Sequence, residues 1–209
     1  MPRGLDFSGQ WTVEGVLRIL CCREDEWVVT DCLSKKTVKS FAKIGVTYNV
    51  FEKRPDGSKG ARLPDYKYEL DGMNDGNIWA RKSLSDEEAA STFLHECEHD
   101  RVTPPPGSRE PEQDEEIEVR IREEQWRIRK ELPPSMPRKK DAAGKDVPDD
   151  QKIRDYVEDE YRHRSRTSNK IYENRREDIT PPPNGTVEAG WDCSRIRGGG
   201  GGAAPGARP

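Results

Sequence analysis

Three proline clusters limit how far any helix in this chain can run: Pro104-Pro105-Pro106, Pro133-Pro134 and Pro181-Pro182-Pro183. Proline has no amide donor and disfavours the α conformation in the residue before it, so each cluster ends the element that reaches it. Between the breaks, residues 85–101 and 109–131 read as two separate helices. The first opens on Ser85-Asp86-Glu87-Glu88, a capping box in which the Ser and Glu side chains can satisfy each other's amides. Upstream, residues 10–33 have the apolar spacing of a helix followed by a second short element. Residues 43–51 alternate like a strand, with Ile44, Val46, Tyr48 and Val50 on one side. Residues 54–63 and 71–76 are turn-rich, and 66–70 and 77–82 are short strands between and after them. The natural arrangement is an antiparallel meander of three strands.

The clusters also divide the composition. Charged residues make up 36% of the 209, against about 25% in an ordinary soluble domain, and the shortage of apolar residues falls mostly after Pro133. Residues 133–151 contain almost nothing that could be buried and read as a linker. Residues 152–178 read as a charged helical extension, anchored by Ile153, Tyr156, Val157, Tyr161, Ile171 and Tyr172. The Pro/Gly-rich residues 179–209 read as a disordered tail. A compact domain is thus expected over residues 5–132. A net charge of -4 provides no positive field for nucleic acid, and no apolar run approaches the roughly 18 residues of a membrane span. No basic and apolar leader is visible at the start, so a cytoplasmic protein is expected, with export by a route that ignores signal peptides left open. Five cysteines, an odd number without CxxC spacing, predict reduced thiols.

Histidine is scarce, and its placement is informative. Of three in the chain, two fall in His95-Glu96-Cys97-Glu98-His99, an HExxH motif. Histidines four apart on a helix share one face, so both imidazoles can reach one Zn²⁺ while the intervening Glu projects toward an activated water. With His95 at zero and about 100° per residue, His99 falls near 40°, while Ala89, Ala90, Phe93 and Cys97 cluster between about 120° and 220°. This gives one polar face for a site and one apolar face for a core. A lone histidine is ordinarily a satisfied or solvated side chain, but the pairing, the spacing and the apolar back favour a metal site. Cys97 lies on the core side and reads as a small buried residue. A catalytic zinc usually takes three protein ligands. A later histidine is excluded as the third, because Val102 and Pro105 occupy the positions an extended motif would need. On the following helix, a wheel centred on Ile121 places Asp114, Ile117, Gln125, Ile128 and Leu132 inward and Glu118 at their edge, with Glu115 and Glu116 turned away. Glu118 is therefore the expected third ligand, with Asp114 and Glu124 as alternatives.

The segment FLHECEH, a downstream helix carrying EIEVR and a short strand before the first helix together resemble the gluzincin class of zinc metallopeptidases. The closer likeness is to small bacterial HExxH domains found as minimal peptidases or within toxins and effectors. The resemblance spans about residues 77–132. It implies an α+β zincin-like domain with a small antiparallel sheet, an HExxH helix and a following ligand helix, ahead of the charged helical extension. It also implies one Zn²⁺ per chain held by His95, His99 and Glu118, with Glu96 as general base in the hydrolysis of a peptide or protein substrate. For the toxin-associated members it implies an inhibitor or immunity-type partner. The strand over 77–81 would be the cleft edge that receives the peptide. Where larger members often carry an Asp that orients a ligand histidine, this chain has Arg122. Tyr156, Tyr161 and His163 are candidate transition-state donors if the last helix folds over the site. Two other readings compete: a zinc-binding adaptor that does not cleave, and a metal-free charged helical scaffold.

Overall fold

The computed structural model describes residues 10–108, 110–161, 170–175 and 185–197. Helix α1 (Val13–Leu20) starts at Thr12, whose side chain accepts the Gly15 amide and whose own amide donates to Asp86 at 2.8 Å. A Cβ on Gly15 would stand 1.9 Å from the Asp86 carboxylate, so this close approach requires glycine. Val16, Leu17 and Leu20 form the buried face of α1, and a short π-helix, Val28–Leu33, follows it.

The expected three-strand meander is replaced by two sheets. Strands β1 (Val38–Phe41), β2 (Gly45–Lys53), β3 (Lys59–Glu69), β4 (Gly72–Asn74) and β5 (Ile78–Arg81) come first in the chain. β2 and β3 form the hairpin that the alternation predicts, with Tyr48 opposite Tyr66. β5, however, pairs in parallel with β1, Val38 opposite Ile78, and antiparallel with β4. The sheet containing β4, β5 and β1 is therefore mixed and not wholly antiparallel. β1 has only four residues, and its partner lies about forty positions away, so no local pattern announces it.

Two helices follow, α2 (Asp86–Glu98) and α3 (Pro111–Arg129), each close to its expected range. The capping box of α2 is only half made. Ser85 accepts the Glu88 amide at 3.2 Å, but the Glu88 carboxylate takes both terminal nitrogens of Arg127, at 2.9 Å each.

Residues 133–151, read as a linker, instead contain a hairpin of β6 (Arg138–Lys140) and β7 (Asp146–Pro148). It is pinned to α3 by Glu124, a fully buried carboxylate that accepts from the Ser135 and Met136 amides and pairs with Arg138. The segment 152–178 is not one helix. α4 (Asp150–Tyr161) buries Ile153 and Val157, and Ile171 belongs to β8 (Lys170–Arg175), which pairs with β2 to give the order β3-β2-β8. Within the supposed tail, β9 (Thr186–Glu188) completes the order β4-β5-β1-β9 and precedes α5 (Ser194–Arg197). Nearby Trp191 packs edge-on against Phe93 of α2 at 5.1 Å between ring centroids. Residues 179–184 and 198–209 lie outside the described residues. A polar strand such as β9 carries no sequence signal because its partner, β1, supplies the order.

The cysteines also depart from expectation. Cys21 is bonded to Cys193 and Cys32 to Cys97, leaving Cys22 as a free thiol. Cys97 is buried on the core face of α2 as predicted, but as half of a disulfide that ties this helix to the π-helix. Odd cysteine counts and irregular spacing are consistent with two bridges because pairing depends on spatial proximity. No helix among the described residues is long and apolar enough to cross a membrane.

Alkylation of the unfolded, unreduced protein should label one thiol, Cys22, and label all five cysteines only after reduction; five labels without reductant would contradict the bridges. Trp191→Ala should cost about 3–5 kcal/mol in denaturant unfolding, as truncation of a buried aromatic does, whereas a disordered tail would leave the midpoint unchanged.

Candidate metal centre

α2 presents the two faces that the wheel predicts. Ala89, Ala90, Phe93, Leu94 and Cys97 enter the core with Trp11, Ile78 and Trp126, leaving His95, Glu96 and His99 to face a cleft of about 650 Å³. Opposite stands α3, with a polar inward face. A wheel centred on Arg120 places Gln113, Glu116, Ile117, Glu123, Glu124 and Arg127 within about 60°. All of these are buried. Apolar side chains ordinarily mark the inward side of a helix, which is why a wheel centred on Ile121 is misplaced here: Ile121 is only half-buried and Gln125 is exposed.

The consequence is a different candidate for the third ligand. Glu118 lies on the outer side of α3, its side chain 46% exposed and paired with Arg122 at 2.9 Å. Glu116 is the carboxylate brought to the histidines, 3.2 Å from His99 Nε2 and 3.7 Å from His95 Nε2. Of the two alternatives, Asp114 accepts from Ser108 at 2.6 Å and Glu124 holds the β6–β7 hairpin. Neither belongs to the cluster formed by His95, His99 and Glu116.

The outer partners of the histidines, which the sequence left unassigned, are also glutamates of α3. His95 Nδ1 lies 3.1 Å from Glu123, and His99 Nδ1 lies 2.7 Å from Glu115. Ser91 donates to the other Glu123 oxygen at 2.7 Å, and Arg120 donates to Glu116 at 2.7 Å. With both Nδ1 atoms donating to carboxylates, both Nε2 lone pairs point inward, and these nitrogens stand 3.3 Å apart. Two acceptors cannot bond each other, so the arrangement calls for a cation or a proton between them. A tetrahedral zinc with ligands at about 2.0–2.1 Å separates its donors by about 3.4 Å, close to the spacings found here. The donor set therefore fits zinc.

Electrostatics within the cluster agree with an attraction for positive charge. Burial works against charging His99, but the Glu116 and Glu115 carboxylates outweigh it and raise its pKa to about 9. Burial likewise opposes ionisation of Glu116, yet Arg120 and the two imidazoles hold its pKa far below the usual carboxylate range. Glu96 moves the other way. Burial raises its pKa, partly countered by the neighbouring histidines, and among the described residues no donor holds its side chain.

The cleft edge is also not the expected one. β5, read as the edge over 77–81, is interior, and β4 ends the sheet with Gly72, Met73 and Asn74 lining the cleft. Asn74 donates to the Glu96 carbonyl at 2.9 Å, and a Cβ on Gly72 would stand 2.3 Å from Thr92 and 2.9 Å from the Glu96 carboxylate. The absence of a side chain at Gly72 thus lets β4 lie directly against the histidine-bearing face of α2. Of the three candidate transition-state donors, Tyr156 lines the cleft, where burial and the neighbouring Glu160 carboxylate raise its pKa well above the usual phenol value. Tyr161 closes α4 with its side chain outside what is described, and His163 lies outside the described residues.

Comparison with known protein families, with curated proteins and with solved structures finds no match for the chain. Any assignment therefore rests on these residues and their geometry.

Exchanging the two glutamates separates the ligand assignments. Glu116→Ala should lower zinc affinity by about 10²-fold or more, since it removes one of three protein ligands, while Glu118→Ala should bind zinc as the parent does. Competition with a chromogenic chelator reads both, and the opposite ranking would restore Glu118.

Proposed function

We propose that the chain is a zinc-dependent metallopeptidase of zincin-like architecture, with His95, His99 and Glu116 as ligands and Glu96 as general base. The observation that supports this most is the pair of Nε2 atoms aimed at one point beside a buried carboxylate, each imidazole oriented by its own glutamate. A structural ion would need no free base next to it, whereas Glu96 is buried in the same cleft with an unengaged carboxylate.

Bound zinc supplies Lewis acidity toward the scissile carbonyl and brings the pKa of water toward neutrality. The remaining work falls to the protein. Glu96 accepts a proton from the attacking water and returns it to the departing amine, a task suited to a carboxylate whose pKa burial has raised. Glu115 and Glu123 keep both imidazoles in the Nδ1–H tautomer. Arg120 holds the Glu116 carboxylate in place. Among the described residues no strand pairs with the outer side of β4, and its backbone groups there can receive an extended peptide as a further strand along the cleft.

Elemental analysis of the purified protein should give one zinc per chain, removable by chelation with loss of stability. Glu96→Gln should retain that zinc and lose about 10²–10⁴-fold in peptide cleavage, the range that general-base catalysis contributes. Equal cleavage by parent and variant would refute the assigned base, and absence of stoichiometric zinc would remove the metal centre altogether.

A further inference from the structure

The same cleft extends into a box of phenols that the hydrolytic machinery does not use. Tyr48 on β2 and Tyr66 and Tyr68 on β3 share one face of the hairpin, with ring centroids 5.9–6.4 Å apart. Tyr156 and Glu160, one turn apart on α4, close the box. The Tyr66 hydroxyl donates to Glu160 at 2.9 Å, and the Tyr156 hydroxyl stands beside the same carboxylate, where burial and that charge raise its pKa.

Two features of this box point to a ligand. Glu160 is only 8% exposed, yet its partners are neutral phenols, and among the described residues no lysine or arginine pairs with it. A carboxylate offers about four acceptor positions, so a neutral phenol donor leaves it short of compensation for its burial. Tyr66 and Tyr156, in contrast, remain 36% and 38% exposed beside it, with ring surface open to the cleft. The charge balance of the walls has the same sign: nine acidic side chains line the cleft against two basic ones. Both basic side chains are already engaged, Arg120 with Glu116 and Arg127 with Glu88. Even after a divalent ion is bound, the cleft keeps an excess of negative charge that favours a cationic guest.

We infer that the pocket of Tyr48, Tyr66, Tyr68, Tyr156 and Glu160 receives a lysine or arginine side chain of the substrate, making the enzyme selective for basic peptides. The aliphatic stem lies along the phenol rings, and the charged head sits within about 6 Å of a ring face, where it gains a cation–π attraction. Its terminal N–H groups complete the hydrogen bonding of Glu160. An uncharged side chain of equal length would fill the same space but leave the carboxylate uncompensated, which is how the pocket discriminates.

The inference rests on reading the cleft as a peptide groove, and its test uses binding so that the two can fail separately. Zinc-loaded Glu96→Gln protein is titrated with fluorescein-labelled Gly/Ala octapeptides that differ at one position: Lys, Arg, norleucine or Glu. The Lys and Arg peptides should bind about tenfold or more tightly than norleucine, a gap that Glu160→Gln, nearly isosteric, should reduce to about twofold. Tyr66→Leu should weaken the Lys peptide while leaving the norleucine peptide unchanged. Equal binding of all four peptides, including no binding of any, overturns the inference, as does a Lys preference that survives Glu160→Gln. Cleavage by the parent protein without preference for basic residues would overturn the pocket and leave the peptidase standing. Selective binding of basic peptides that are never cleaved would do the reverse.

Discussion

The arrangement of the site depends on one buried guanidinium. Arg127, only 2% exposed, holds the Glu88 carboxylate at the start of α2, the Ser91 hydroxyl one turn further on, and the Pro133 carbonyl where the chain leaves α3. Ser91 passes the connection to Glu123, and Glu123 to His95. A single chain of charge-assisted bonds thus sets the register of α2 on α3 and orients the first imidazole. The Glu88 side chain is 46% exposed and solvent screens that end of the network, so the links that weigh most are the buried ones through Ser91, Glu123 and His95. The inward side of α3 tolerates so much charge only because each group on it has a partner on α2, on α3 itself or in the segment that follows.

Around that polar seam, the apolar material is concentrated on one side of α2. Trp11, Phe93 and Trp191 pack together there, and the Cys32–Cys97 and Cys21–Cys193 bridges fasten the π-helix and the C-terminal segment to the same region. A chain this rich in charge has a small core for its length. The bridges close loops of 65 and 172 residues, and in the loop-entropy account closures of this size are worth about 4–5 kcal/mol each. The helix bearing both histidines is therefore held by a disulfide and aromatic packing behind and by ion pairs in front. A rigid support of that kind keeps the two imidazoles converging on one point of the cleft.

The parts of the structure that were legible in the sequence are those governed by short-range periodicity. Ser85 caps α2, the break at Pro104 follows its end, and His95, Glu96 and His99 emerge on the face opposite Phe93 and Cys97. The β2–β3 hairpin follows from alternation between Ile44 and Val50. Local pattern does not announce the β6–β7 hairpin, β8 or β9, because their order comes from distant partners: Glu124 for the hairpin, β2 for β8, and β1 for β9. Low apolar content is a fair sign of disorder only when a segment has to make its own core.

The sequence by itself determined that two histidines four residues apart share one face of a capped helix with a glutamate between them, because helical geometry needs no information from elsewhere in the chain. Only the tertiary structure decided which acidic residue of α3 meets them. Glu116 and Glu118 are two positions apart and chemically identical, and the choice between them turns on the rotation of α3 about its own axis. That rotation is set by Arg127 and Glu123 meeting groups on α2, and by Trp126 entering the core on the flank. A wheel drawn from apolar residues alone cannot recover it, since here the face that packs inward is the charged one.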